Sequence, residues 1–277
     1  MRRPLARTSV RDALDSAVIA LTAAGCDTPR LDAELLLAEA MGVGRATVVA
    51  DPGRPIEPDA ARRFADFARR RREREPVAYI LGRKGFRHIE LAVDPRVLIP
   101  RPETEHAVEA ALALPHGARV CDVGTGSGAI ALALKHERPD LGVVATDVSD
   151  DALAVAAANA VRLGLDVEFV HGDLLAAVRG DLDAIVSNPP YVEDGARLAP
   201  EIVRYEPALA LRAGPDGLDV LRRLVPDIAA SGVPFAALEV GNGQAAAVGG
   251  LLREVGYGDV EVVRDLAGIE RVVVARR

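Results

Sequence analysis

Cysteine is scarce in this chain of 277 residues: Cys26 and Cys121 stand far apart and in unrelated contexts. That excludes a disulfide framework and any Cys/His metal spacing, so no metal site is expected, and it suits a reducing cytoplasm. Histidine forms no cluster either. His88, His106, His116, His136 and His171 are scattered, and each reads as an ordinary surface or core residue. No uncharged apolar run is long enough to span a bilayer. The opening M-R-R-P-L-A-R-T leads into no apolar core of a signal peptide. Positive charge is in deficit, with a formal net charge of −7, which argues against a surface that grips nucleic acid throughout. Internal repeats and low-complexity tracts are missing as well. What is left is a soluble cytoplasmic protein, 49% hydrophobic, able to bury a substantial core in two domains or one large one.

Residues 1–75 read as helices. D-A-L-D-S-A-V-I-A-L-T-A-A-G spaces Leu14, Val18 and Leu21 along one face and stops at Gly25. P-R-L-D-A-E-L-L-L-A-E-A-M-G puts Leu31, Leu35 and Leu36 on a stripe closed by Gly42. A third helix, P-D-A-A-R-R-F-A-D-F-A-R-R-R-R-E-R-E, turns Phe64, Phe67 and Ala68 inward and ends at Pro76. Its arginines outnumber its acids, and a solvated helix face is the simpler reading than a phosphate-binding patch. The period then changes. Residues 76–95 alternate more like strands, with Gly82 and Gly85 at turn positions, so a β-hairpin linker is expected there. L-I-P-R-P-E-T-E follows, its prolines stiffening the approach to a helix that begins near Glu103.

From about residue 118 apolar strands alternate with amphipathic helices, and D-V-E-V-V-R-D-L-A-G-I-E-R-V-V-V-A reads as a closing hairpin. The alternation predicts an α/β domain over residues 96–277 with a mostly parallel sheet and helices on both faces. D-V-G-T-G-S-G, from Asp122 to Gly128, sits where the first strand becomes a helix. Gly124, Gly126 and Gly128 remove side chains so that a ligand can approach the N–H groups of the helix start. Gly124, Gly126 and Ala129 also satisfy G-x-G-x-x-A, the dinucleotide pattern, so the glycines alone do not choose a cofactor. Asp147 ends the next strand, at the offset where such folds hold a ribose, and Asp173 is similarly placed after the third. Isolated, such aspartates are helix caps or turn formers. Together at successive strand ends they point to a nucleoside cofactor.

The fourth strand ends in D-A-I-V-S-N-P-P-Y-V. The side-chain carbonyl of Asn188 and the backbone carbonyl of Pro189 are acceptors, and proline has no N–H to donate. Two acceptors on a rigid turn suit a planar –NH2 with two donors, and Tyr191 offers an aromatic wall beside a cationic centre. The implied chemistry is transfer of an electrophilic group to an amide or aniline-like nitrogen. Ser127 is no hydrolase nucleophile, because its neighbours do not fit G-x-S-x-G.

These motifs resemble those of S-adenosylmethionine-dependent amino methyltransferases. The rest of the chain resembles the HemK-type protein-(glutamine-N5) methyltransferases that act on peptide chain release factors. P-R-L-D-A-E, E-P-V-A-Y-I-L-G, L-I-P-R-P-E-T-E, Y-E-P-A-L-A-L, G-P-D-G-L-D and L-E-V-G-N-G-Q carry the likeness over essentially the whole chain. It implies a Rossmann-like methyltransferase domain with a C-terminal hairpin, joined by the hairpin linker to a small helical domain that docks the release factor. It also implies S-adenosylmethionine as cofactor, S-adenosylhomocysteine as product, and the glutamine of a Gly-Gly-Gln motif as substrate.

By the same resemblance, Gly124, Thr125, Gly126, Ser127 and Gly128 line the methionine and ribose part of the cofactor. Asp147 holds the ribose, Asp173 and Leu174 border the adenine, and Asn188 also touches the cofactor. Asn188, Pro189, Pro190 and Tyr191 bind the substrate amide, with Asn188, Pro189 and Tyr191 catalytic, and Arg101, Glu103 and Thr104 border the approach. F-R-H-I-E-L and A-S-G-V-P-F depart from the family's glycine-containing versions. A monomer with no direct nucleic-acid or membrane partner is expected. Rival readings are a ribosomal-protein glutamine methyltransferase, a DNA or RNA exocyclic-amine methyltransferase, and a cofactor-binding interaction protein.

Overall fold

The computed structural model describes residues 8–277. The first seven residues of the expected helical domain, on which the signal-peptide reading partly rests, lie outside the described residues. Five helices come first: α1 Val10–Ala23, α2 Pro29–Met41, α3 Arg45–Ala50, α4 Pro58–Arg72 and α5 Val77–Leu81. A hairpin of β1 Arg83–Phe86 and β2 Ile89–Ala92 follows. Then come α6 Glu105–Ala111, β3 Arg119–Val123, α7 Ala129–Glu137, β4 Gly142–Asp147, α8 Asp150–Leu163, β5 Glu168–His171 and β6 Ala184–Ser187. The remaining elements are α9 Pro200–Tyr205, α10 Asp219–Ser231, β7 Phe235–Glu239, α11 Ala245–Glu254, β8 Asp259–Arg264 and β9 Glu270–Arg276. The chain divides into two compact units, one running to Gly82 and including Ala199–Tyr205, the other made of Arg83–Leu198 and Glu206–Arg277.

In the helical unit, α1 starts at a capping box. The Ser9 hydroxyl accepts from the Asp12 N–H at 3.2 Å and donates to the Asp12 carboxylate at 2.6 Å, an arrangement worth about 1 kcal/mol. Val10, Leu14, Ala17 and Leu21 of α1 pack against Leu36, Leu37 and Ala40 of α2 and Phe64 of α4 in one core cluster. The stripe expected on α2 is corrected by this packing. Leu31 is exposed, whereas Asp32 and Glu34 are buried along with Leu36 and Leu37. Both acids are paired: Asp32 takes the Arg71 Nε at 2.7 Å, and Glu34 takes Arg30 at 2.6 Å and Arg45 at 2.9 Å.

Arg71 therefore departs from the solvated-face reading of the arginine-rich helix, being 5% exposed. Its Nη2 also reaches Glu201 at 3.4 Å, and Arg74 donates to the same carboxylate. These bonds, with Tyr205 Oη donating to the Glu73 carbonyl at 3.0 Å, seat the returning segment on the helices. Val77–Leu81, which reads as the start of a strand pair, is helical instead. Pro76 sits at its N-cap and Gly82 closes it at φ 69°, the proline-first, glycine-last punctuation of a helix.

The second unit is an α/β fold on a seven-stranded sheet of order β5-β4-β3-β6-β7-β9-β8. The first five of these pair in parallel, while β9 runs antiparallel to both β7 and β8. Strands β3, β6 and β7 are buried on both faces, as a sheet covered by helices requires. β7 escapes an alternation search because F-A-A-L-E is short, apolar throughout and partly alanine. Strand order reverses between β3 and β6, and the crevice at the carboxyl ends of strands beside such a reversal is where open α/β sheets bind ligands. Among the described residues, no helix is long and apolar enough to cross a membrane.

Candidate active site

At the end of β3 the chain must leave a buried strand, turn tightly and enter α7 without a side-chain cap. Gly128 occupies the N-cap at φ 85°, a left-handed backbone that strains any other residue, and an added Cβ would lie 2.8 Å from Leu132 Cδ1. The missing cap is supplied from the strand. Asp122 Oδ2 accepts the Ala131 N–H at 3.0 Å, one of the orphan donors of the helix start, and the Thr125 hydroxyl at 2.7 Å. Asp122 is fully buried, and among the described residues its Oδ1 has no hydrogen-bond partner. Burial pushes its carboxyl up to about 7, although both hydrogen bonds pull the other way.

Gly124 and Gly126 share the left-handed backbone, at φ 73° and 56°, and have a second reason. An added Cβ on either would meet no atom within 4 Å, and both line a cavity of about 320 Å³. Their missing side chains leave room for a ligand, not for protein. Asp147, at the end of β4, lines the same cavity, with Oδ2 accepting the Gly126 N–H and Oδ1 the Ser149 N–H, each at 2.9 Å. Each oxygen keeps a lone pair for a ligand donor. Asp173 and Leu174 are on the wall too. Asp173 is exposed and ion-paired with Arg223, whereas Leu174 holds a left-handed backbone at φ 51°, its carbonyl accepting from Thr146 Oγ1 at 3.1 Å.

Across the strand reversal, Ser187 is buried and its hydroxyl donates to the Val123 carbonyl at 2.6 Å, tying the end of β6 to the end of β3. Asn188, Pro189 and Pro190 then line the cavity opposite the glycine turn. Asn188 Nδ2 donates to Thr104 Oγ1 at 2.9 Å; among the described residues, its Oδ1 takes no hydrogen bond. Tyr191 turns away from the cavity. Its hydroxyl donates to Glu239 Oε1 at 3.2 Å, and burial beside that carboxylate raises its pKa. The Tyr191 carbonyl accepts from Gln244 Nε2 at 3.1 Å. Gly217 approaches the same carbonyl so closely that an added Cβ would stand 2.3 Å from it. The segments G-P-D-G-L-D and L-E-V-G-N-G-Q thus clamp the Asn-Pro-Pro-Tyr turn.

The expected residues fall into two sets. Gly124, Gly126, Asp147, Asp173, Leu174, Asn188, Pro189 and Pro190 face the cavity. Thr125, Ser127, Gly128, Tyr191, Arg101, Glu103 and Thr104 are not on its wall. Ser127, 2% exposed, offers its carbonyl to Asn159 Nδ2 at 3.0 Å. Arg101 donates to Glu206 at 2.5 Å, and Glu103 stands 3.7 Å from Arg271. Sequence reading missed four supports: Asn159, Glu206, Glu239 and Gln244. The last three lie in segments quoted above for their family likeness, but their partners are remote in sequence. Glu239 is 1% exposed, its Oε2 has no hydrogen-bond partner among the described residues, and burial pushes its carboxyl up to about 7. Among the described residues, no group of His, Cys, Asp and Glu could hold a metal ion.

Two family descriptions match this chain: "PrmC N-terminal domain" over residues 12–82 and "Methyltransferase small domain" over residues 106–212. The release factor glutamine methyltransferase of Deinococcus radiodurans is 45% identical over 275 residues, covering 97% of this chain and 98% of that protein. The enzyme of the same name from Neisseria gonorrhoeae is 46% identical over 257 residues, covering 90% and 93%. A methyltransferase structure from Pyrococcus furiosus superposes with a TM-score of 0.51 at 18% identity, covering 67% of this chain and 87% of that one; it shows the shared fold. A cavity between a glycine turn and an Asn-Pro-Pro-Tyr turn, on a chain with such relatives, has one assignment: this chain belongs to the release factor glutamine methyltransferase family.

Proposed function

We propose that this protein transfers a methyl group from S-adenosylmethionine to the side-chain amide nitrogen of the glutamine in the Gly-Gly-Gln motif of class 1 peptide chain release factors, modulating translation termination. The observation that carries this reading is the free Oδ1 of Asn188, on a cavity wall that also holds Gly124, Gly126 and Asp147. The cavity fits the cofactor. Gly124 and Gly126 leave open space for it, and the lone pairs remaining on Asp147 suit the two hydroxyls of a ribose. Bound there, S-adenosylmethionine supplies a methyl group on a positively charged sulfur and leaves as S-adenosylhomocysteine.

The protein's own residues then have to position a poor nucleophile. An amide lone pair is delocalised, so both N–H bonds must be held. Asn188 Oδ1 and the Pro189 carbonyl accept them, aim the nitrogen and favour its loss of planarity. Positioning and dispersal of charge supply most of the rate, without a covalent intermediate. No side-chain base is needed, because the methylated, protonated amide is acidic and releases its proton to water. The enzyme acts in the cytoplasm as a monomer, docks its protein substrate through the helical unit and binds no nucleic acid directly.

The test mixes purified protein, methyl-labelled cofactor and a release factor, with a second release factor whose motif glutamine is alanine. Label on that glutamine and none on the variant is the expected result. An unlabelled intact factor, with cofactor still bound, would overturn the substrate assignment in favour of a ribosomal-protein or nucleic-acid amine.

A further inference from the structure

Three of the chain's motifs meet on one amide. Gln244, the N-cap of α11, donates from Nε2 to the Tyr191 carbonyl at 3.1 Å and the Asp216 carbonyl at 3.2 Å, with the Gly217 carbonyl at 3.4 Å. Its Oε1 accepts the Gly241 N–H at 2.8 Å. These partners settle which end is which. Turned over, the amide would set its oxygen against three carbonyls and its N–H bonds against a donor. The surrounding backbone is cut to fit it: an added Cβ would stand 2.7 Å from Nε2 on Gly217 and 2.8 Å from Oε1 on Gly241.

The Asn188-Pro189-Pro190-Tyr191 turn needs such a hold from outside. Its prolines have no N–H, so the turn cannot tie itself down through them. Their rings lock φ at about −65°, but the ψ angles that aim the Pro189 carbonyl are left to the two ends of the turn. The entry is held by the Ser187 hydroxyl on the Val123 carbonyl at 2.6 Å and by Asn188 Nδ2 on Thr104 at 2.9 Å. The exit is held at the peptide between Tyr191 and Val192. Gln244 takes its carbonyl, and its N–H donates to the Leu211 carbonyl at 2.9 Å. Both edges of that peptide plane are engaged.

We infer that Gln244 is a positioning residue for methyl transfer: by fixing the peptide after Tyr191 it sets the direction of the Pro189 carbonyl, the second acceptor for the substrate –NH2; this rests on the methyl-transfer reading above. Gln244 is not on the cavity wall, so it acts through the turn. Nε2 is the acting end, and Oε1 orients the amide. The cofactor side stands independently. Val220 and Arg223 bring α10 to the cavity, and that helix is seated by its own buried Leu221, Leu224, Val225 and Ile228.

Gln244→Glu keeps the length and the acceptor for Gly241 but replaces the donor by a carboxylate oxygen. In kinetics on the release factor at pH 8, it should lower kcat by about 10- to 100-fold, the size of a misplacement of about 1 Å, while the Kd for S-adenosylhomocysteine stays within about twofold. Protonating the introduced carboxyl restores a donor toward Tyr191. The carbonyls around it favour that proton, as does Asp216, whose carboxylate is engaged by Arg222 at 2.5 Å and the Leu218 N–H at 3.2 Å. The ratio of variant to wild-type kcat should therefore climb as pH falls from 8 to 6. Gln244→Ala, with nothing to protonate, should lose kcat alike at every pH. Val248→Ala, at a buried residue of the same helix, should keep kcat despite lower stability. Wild-type kcat in Gln244→Glu at pH 8, a ratio flat with pH, or an equal kcat loss in Val248→Ala would overturn the inference. Absence of transfer by the wild-type enzyme would instead defeat the substrate reading. Hydrogen exchange at the Val192 N–H needs no substrate and would still test the hold on the turn: it should quicken in Gln244→Glu and not in Val248→Ala, and an unchanged rate in Gln244→Glu would overturn the role given to that amide.

Discussion

The Arg101 guanidinium donates to the Glu206 carboxylate at 2.5 Å, joining L-I-P-R-P to Y-E-P-A-L-A-L across 105 residues of chain. Glu206 is 7% exposed and also accepts the Ile99 N–H at 3.1 Å. Glu206→Ala should therefore cost about 2 kcal/mol in chemical denaturation, because a buried N–H loses its acceptor. Arg101→Ala should cost less, since that side chain is 30% exposed and water can replace it. Equal losses in the two variants would mean that the ion pair, and not the backbone bond, holds the segment.

Asn188→Ala should lower methyl transfer by at least about 100-fold. Its affinity for S-adenosylhomocysteine, measured by calorimetry, should stay near that of the wild type, because the glycine turn and Asp147 are untouched. Turnover at the wild-type rate would sink the two-acceptor mechanism.

Asp147→Ala removes a carboxylate from the cavity wall and strips the acceptors from the Gly126 and Ser149 N–H groups. Cofactor affinity should fall by about 10- to 100-fold, the size expected for losing charge-assisted hydrogen bonds. At saturating cofactor most of kcat should return. An unchanged Kd would show that the ribose lies elsewhere.

Asp122 gives a signed pH dependence. Its carboxyl rises from 3.8 in the unfolded chain to about 7 on burial, so the folded state binds the proton more tightly. Its contribution to stability is complete below about pH 4 and is lost as pH rises through about 7. The stability difference between the wild type and Asp122→Asn, followed by denaturation from pH 4 to pH 8, should drift against the wild type as pH rises. A flat difference would place Asp122 in contact with water or with an unseen donor.

Much of this was legible because it is local. Glycines mark the ends of helices, and the strand–turn–helix rhythm from residue 118 onward announces a parallel sheet. Where local patterns misled, a remote partner had changed the balance. Asp32 looks like a surface residue of an amphipathic helix until Arg71 buries it, and Leu31 looks like core until the helix turns it outward. Residues 77–81 have strand-like composition, yet a proline and a left-handed glycine bound them as a helix.

By itself, the sequence determined the chemistry on offer: the glycine turn, the acids at the strand ends, the amide beside two prolines, and the family likeness that runs through nearly every motif. Those are properties of residue type and short spacing, which one-dimensional reading can measure. Only the tertiary structure decided which polar atoms remain free. Asn188 has its Oδ1 left because Thr104, 84 residues away, has taken its Nδ2. Hydrogen-bond direction belongs to a closed network in a buried space, and no stretch of chain contains that network until the sheet brings its strand ends together.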